Sequence, residues 1–272
     1  MTKILLHLFT STGYAALAAY LWRSLAHLRR SDATSSSPVL HLLVAVPLTL
    51  HCWLLYSSIH RPDGLYLGLG NAVSLVIALA ALFYWIGSFV YRLEALQLLV
   101  LPAAAVLSAL PIIIPAAHPL IDTSSLAFKV HLLISLVSFS LFTIAALHVL
   151  LMAFAERRLH SGNVPPIVQA LPPLLTMEKL LFRMIAAGPL LLTLALGRGM
   201  LFSDEVFGQP LRFTHKTVFG VLSWAIFVAL LSGRAIYGWR GRVAVRWTLA
   251  GFLSLLLAYV GSRLVLEVIL GR

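Results

Sequence analysis

Residues 126–155 read LAFKVHLLISLVSFSLFTIAALHVLLMAFA, an unbroken apolar run whose only charged side chain is Lys129. About 20 residues of helix cross the roughly 30 Å hydrocarbon layer of a bilayer, and this run exceeds that length. A membrane barrel would show alternating segments of about ten residues, and no such alternation is present. Inside lipid a helix satisfies its own backbone polar groups, so the run reads as a transmembrane helix. Working outward, seven more runs have the same character: Ile4–Leu25, Val39–Ile59, Tyr66–Val90, Leu96–Ala116, Met177–Met200, Phe213–Ser232 and Trp247–Leu270. The expected fold class is all-α, a polytopic integral membrane protein built as a bundle of about eight transmembrane helices. Of the 272 residues, 60% are hydrophobic and 11% charged, with a mean hydropathy of +0.96. Soluble domains carry about twice that charged fraction. The composition excludes an ordinary cytosolic enzyme, a disordered chain and a disulfide-stapled secreted module.

The breaks between runs have chemical causes. RRSDATSSSP at 29–38 is polar and ends in proline, and His60-Arg61-Pro62-Asp63-Gly64 is a turn signal. Paired prolines at 165–166 and 172–173 prevent one helix from passing through 156–176. No internal repeat and no separate soluble domain is visible. The first run lacks a small-residue cleavage site and reads as a retained helix. Cys52, the single cysteine, lies in an apolar run and reads as a small buried hydrophobe. The net charge is +11, from 20 Lys+Arg against 9 Asp+Glu. In a soluble protein this would suggest nucleic acid. Here the basic residues sit in short loops, so the charge reports topology and no nucleic-acid partner is expected. With the N-terminus outside, 12 of the 20 basic residues fall on the inner side and 8 on the outer, and both termini lie outside.

Ionisable groups in a membrane are costly, so each is a question about function. All nine acids fall near predicted span ends, which weakens a reading as an ion-coupled transporter. No Ser/His/Asp or Glu/Glu pair shares a location, so no enzymatic turnover is expected. Three of the ten histidines stand out. His131 lies about 7 Å below the outer end of its helix, His215 begins the seventh helix, and His51 lies about 12 Å below the outer end of the second. All three can face one outer cavity, and imidazoles are natural ligands of haem iron, singly or as an axial pair. Lys129, Arg198, Arg212 and Lys216 lie at the same level and suit the carboxylates of an anionic ligand such as haem. The alternative is that each histidine is a hydrogen-bonded packing residue, since nothing in the sequence makes the three helices neighbours.

The C-terminal third, His215-KTVFGVLSWAIFVALLSGR and then GWRGRVAVRWTLAGFLSLLLAYVG, resembles the membrane core of the cytochrome c assembly family, of the CcsA/ResC type. Lys216-Thr217-Val218-Phe219, Trp224, Gly238-Trp239-Arg240-Gly241 and Tyr259-Val260-Gly261 occupy the places of that family's KETW-like helix, GWxG turn and final helix. Upstream, Val130-HLLISLVS-Phe139 resembles its histidine-containing helix, and PPLLTMEKLLFR at 172–183 a Pro-Pro-Leu loop of the shorter YpjD-type inner membrane proteins, which stand nearest in pattern, with HemX-type proteins also similar. The resemblance covers residues 65–270, dividing the chain into an N-terminal two-helix segment (1–64) and a cytochrome c assembly-like core (65–272). It implies a multi-pass protein of the bacterial inner membrane. It also implies haem as cofactor near the outer leaflet, with haem or cytochrome c maturation proteins as partners beside the lipid bilayer. His131 carries over from the family directly, whereas His215 and His51 come from the chemistry above. The family's tryptophan-rich haem-presenting loop has no tryptophan in the corresponding stretch, Gly197 to Thr214. Two further readings follow: an accessory scaffold subunit without a haem role, or a component of a small-solute transporter.

Overall fold

Proline and glycine decide where this chain bends, stops and packs closely. The computed structural model describes residues 2–27, 38–91, 96–116, 118–120, 125–162, 164–169, 171–201 and 214–261. Its helices are α1 (Thr2–His27), α2 (Pro38–Ile59), α3 (Leu69–Gly87), α4 (Gln97–Leu107), α5 (Leu110–Ile113), α6 (Leu126–His160), α7 (Pro166–Gln169), α8 (Leu174–Leu201), α9 (His215–Tyr237) and α10 (Arg242–Leu256). A wider π-helical turn, Leu257–Gly261, continues α10. Between α2 and α3 lies a short hairpin, β1 (His60–Arg61) and β2 (Gly64–Leu65), paired antiparallel.

Among the described residues, seven helices are long and apolar enough to cross a membrane. The expected eighth run, Leu96–Ala116, is helical in two pieces, α4 and α5. Pro111 has no N–H to offer the Leu107 carbonyl, and the chain turns at Ser108–Ala109. Peptide groups without partners are expensive in lipid. Here α1 supplies them: the Ser11 hydroxyl donates to the Ala105 carbonyl at 2.6 Å, and His7 Nδ1 to the Ser108 carbonyl at 3.1 Å. The broken pair still runs the length of α3. Tyr84 donates to Gln97 Oε1 at 2.7 Å at one end, and the Gly70 Cα faces the Ile114 carbonyl at the other. Eight passes therefore alternate in direction. We call the end where α1 begins the upper end. The hairpin sits there, with Leu120 N–H donating to the Leu65 carbonyl at 2.7 Å.

Helices α1 to α4, with Ile144 of α6, enclose one core, which includes Tyr14, Leu48, Ile77 and Leu101. The other four long helices form a square: α6 packs against α8 and α10, and α9 packs against α8 and α10. Phe142 of α6 and Phe227 of α9 reach across its diagonal and stack, with ring centroids 4.0 Å apart and planes 15° from parallel. Glycines make room for both rings. A Cβ at Gly188 would stand 2.5 Å from the Phe142 ring, and one at Gly251 2.7 Å from the Phe227 ring. Helix association in lipid rests on such close contact, because lipid tails are as apolar as leucine.

Gly188→Ala is expected to destabilise the protein by about 1–3 kcal/mol, since the added methyl overpacks a fully buried ring. Thermal unfolding in detergent measures this. Combining it with Phe142→Leu should recover part of the loss.

Candidate functional site

The upper end of the four-helix square holds most of the groups singled out in the sequence. His131 is half-buried near the start of α6, meets the Ala195 backbone of α8, and faces the Arg198 guanidinium. Arg198 Nε is buried and has no hydrogen-bond partner among the described residues. Lys129 is exposed two residues above. On the other side of α8, α9 begins with exposed His215 and Lys216. Its register against α8 is fixed lower down, where Gly220 meets Leu196 and Trp224 Nε1 donates to Thr193 Oγ1 at 2.8 Å. Arg212 lies outside the described residues. The structure thus gathers Lys129, His131, Arg198, His215 and Lys216 at one end of α6, α8 and α9.

His51 lies elsewhere. It is fully buried among α1, α2 and α3, where Nε2 pairs with Ser74 Oγ at 2.9 Å and Nδ1 faces the Tyr14 hydroxyl at 3.5 Å. The two regions meet through apolar contact: Leu55, one turn beyond His51, and Leu132, beside His131, pack in the same cluster.

Two other histidines, His7 and His148, are buried. His7 holds the Ser108 carbonyl of the α4–α5 break. His148 pairs through Nε2 with the Met177 carbonyl at 2.9 Å, because α6 continues to His160 and carries it well inside.

The lower end has a charged cluster that the sequence did not reveal as one unit. Glu178, from PPLLTMEK, is 6% exposed and pairs with Arg234 at 2.7 Å, while Arg240 of the GWRG turn stands at 3.8 Å. Arg234 also donates to the Trp239 carbonyl at 3.2 Å and lies 4.6 Å over the Phe182 ring. The turn that folds Trp239 onto Gly233 needs left-handed backbone at Gly238 (φ 65°), a conformation glycine adopts without strain. Beyond it, Arg242 pairs with Glu156 at 3.2 Å. The charges were visible in the sequence; only the fold makes them neighbours.

At the upper hairpin, Tyr66 donates to Asp63 Oδ2 and Arg61 lies 4.1 Å over the Tyr66 ring. The tyrosine hydroxyl, then the local backbone and Arg61, hold the Asp63 carboxyl below its ordinary range.

Comparison with known proteins gives these shapes a context. The family model described as "Cytochrome C assembly protein" matches residues 38–270. The match begins at the first residue of α2, ahead of the division expected at residue 65. The chain is 35% identical over 140 residues to the inner membrane protein YpjD of Escherichia coli K12, 52% of each chain. It is 31% identical over 88 residues to the cytochrome c biogenesis protein CcsA of Prochlorococcus marinus, covering 32% of this chain and 28% of that one. The aligned stretch thus spans about half the length of YpjD. No solved structure matches.

Arg234→Ala is expected to cost roughly 3 kcal/mol in thermal unfolding, because it strands a buried carboxylate, and Glu178→Gln in the same chain should recover much of that. The Asp63 interaction stabilises the hairpin at pH above the ordinary carboxylate range and is lost as pH falls through the depressed value. Tyr66→Phe should move the Asp63 titration upward, which isotope-edited infrared spectroscopy of labelled aspartate reads directly.

Proposed function

The chain belongs to the cytochrome c assembly protein family, and from that premise we propose that it is a non-catalytic inner-membrane protein that binds haem, or assists haem-protein assembly, at its upper end. We place that end, with both termini, at the outer leaflet, as the excess of basic residues at the other end favours. The observation that carries the reading is His131, held between α6 and α8 beside a guanidinium whose Nε has no hydrogen-bond partner among the described residues. Those residues fit the group. An imidazole is an iron ligand, and an arginine receives a carboxylate. Haem, when bound, would supply iron that takes a nitrogen ligand and carboxylates that take cations. The chain's own residues would position it: His131 at the iron, and Arg198, with Lys129 and Arg212, toward the carboxylates. His51 is left to its two hydroxyl partners. Cytochrome c maturation proteins are the partner class this reading implies.

A second reading, an accessory scaffold without haem, is favoured by one observation: no tryptophan lies between Gly197 and Thr214.

Purified in detergent, the wild-type protein should show a Soret band on addition of haem, and His131→Ala should shift or abolish it. Absence of a band in wild type, with partners still captured from membranes, would establish the scaffold instead.

A further inference from the structure

The hairpins α6–α8 and α9–α10 contain the same parts at the same spacings. In each, a serine donates to a glycine carbonyl on the partner helix, Ser138 to Gly188 at 3.2 Å and Ser223 to Gly251 at 2.9 Å. In each, a phenylalanine four residues later occupies the space beside that glycine, and these two rings form the central stack. Counterparts on the first helices lie 85 positions apart (138 to 223, 142 to 227), and on the second helices 63 (188 to 251). Extending those offsets pairs Ala145 with Leu230, Leu181 with Ala244, Ile185 with Thr248, Leu192 with Leu255 and Ala195 with Ala258, and all ten residues are buried. The residue after each serine is aromatic and crosses to the other hairpin. Phe139 meets Phe252 of α10, and Trp224 donates to Thr193 of α8. Both α6 and α9 run from the upper end downward, so the relation is a rotation about an axis along the bundle, through the phenylalanine stack.

Only some of the counterparts are identical, and their matching lies in contacts rather than in letters.

The offset maps His131 onto Lys216, and His215 onto Val130. The Ala195 backbone beside His131 maps onto Ala258, within the π-helical turn of α10, and such turns recur at functional sites. We infer that residues 126–261 form a two-fold repeat and that Lys216 is the counterpart of His131 at one shared ligand site on the axis. That site is at the upper mouth, roughly 16 Å above the phenylalanine stack. In transporters built from repeats, the substrate site lies where the repeats meet, near the bilayer midplane; the site inferred here lies on the same kind of axis but at its upper mouth. The inference rests on the haem reading. It gives the two halves unlike roles: an imidazole from one for the iron, an ammonium from the other for a carboxylate.

The test uses the full chain in nanodiscs, titrated with haem and with iron-free protoporphyrin, which keeps the carboxylates and lacks the metal. Lys216→Ala should weaken the iron-free porphyrin about tenfold, and Lys216→Arg should restore it. Lys216 is exposed, so matched thermal unfolding will show that the variants are folded. His131→Ala should alter the haem spectrum while retaining most of the affinity for the iron-free compound. Unchanged porphyrin affinity in Lys216→Ala, with His131→Ala still altering the haem spectrum, overturns the pairing and leaves the haem reading intact. A loss in His215→Ala but not in Lys216→Ala also overturns the pairing. Failure of wild type to bind haem overturns both.

Discussion

Two rings at the centre of a helix square, Phe142 and Phe227, hold the C-terminal half of this protein together. Water is absent between membrane helices, so association depends on contact distance and on polar groups that satisfy one another. Each ring stands where a neighbouring glycine lacks a side chain, and each of those glycines lends its carbonyl to a serine one turn above the ring. Four helices are thereby fixed in register at mid-depth. The two ends of the square are left to differ, and they do. Below, Glu178, Arg234, Arg240 and Trp239 draw α8, α9 and the GWRG turn into a closed, paired cluster. Above, Lys129, His215 and Lys216 are exposed, and His131 and Arg198 are half-buried. The lower end is tied by a paired acid, whereas the upper end leaves an imidazole beside cations, the arrangement on which the proposed reading rests.

Much of the fold was legible in the sequence because lipid imposes a length on every span. Seven of the eight expected runs appear as long helices; the expected start at Phe213 and the expected end at Leu270 lie outside the described residues. The fourth differs because a proline count does not say whether a helix bends or parts; Pro102 sits inside α4, whereas Pro111 follows a break. The site was legible in kind and only partly in place. His131 was identified through its family pattern, and its neighbour Arg198 by depth alone. His51 stood at a plausible depth, but depth along a helix says nothing of which helices surround it. Glu178 and Arg234 lie 56 positions apart in the chain, and periodicity names the face a residue takes, never its partner across the gap. The repeat was hidden for a related reason. What its halves share is a geometry of serine, glycine and ring, and a few identical letters spread over more than 100 positions carry too little signal.

The family's presenting loop and this chain's bare stretch at 197–214 belong to the same reasoning. On the proposed haem reading, a stretch without tryptophans leaves a flat ligand to the imidazole and cations beside it. His131, Arg198 and Lys216 are the side chains that the upper ends of α6, α8 and α9 offer for that purpose.

The break between α4 and α5 bears on how the chain is made. Two carbonyls at that break are taken by His7 and Ser11 of α1, a helix synthesised about a hundred residues earlier. Within the fourth run, Ser108 Oγ already reaches the Ala105 carbonyl at 3.2 Å, whereas the Ser108 carbonyl draws on His7 of α1. The run's interrupted backbone is therefore easier to place in lipid with the first helix beside it.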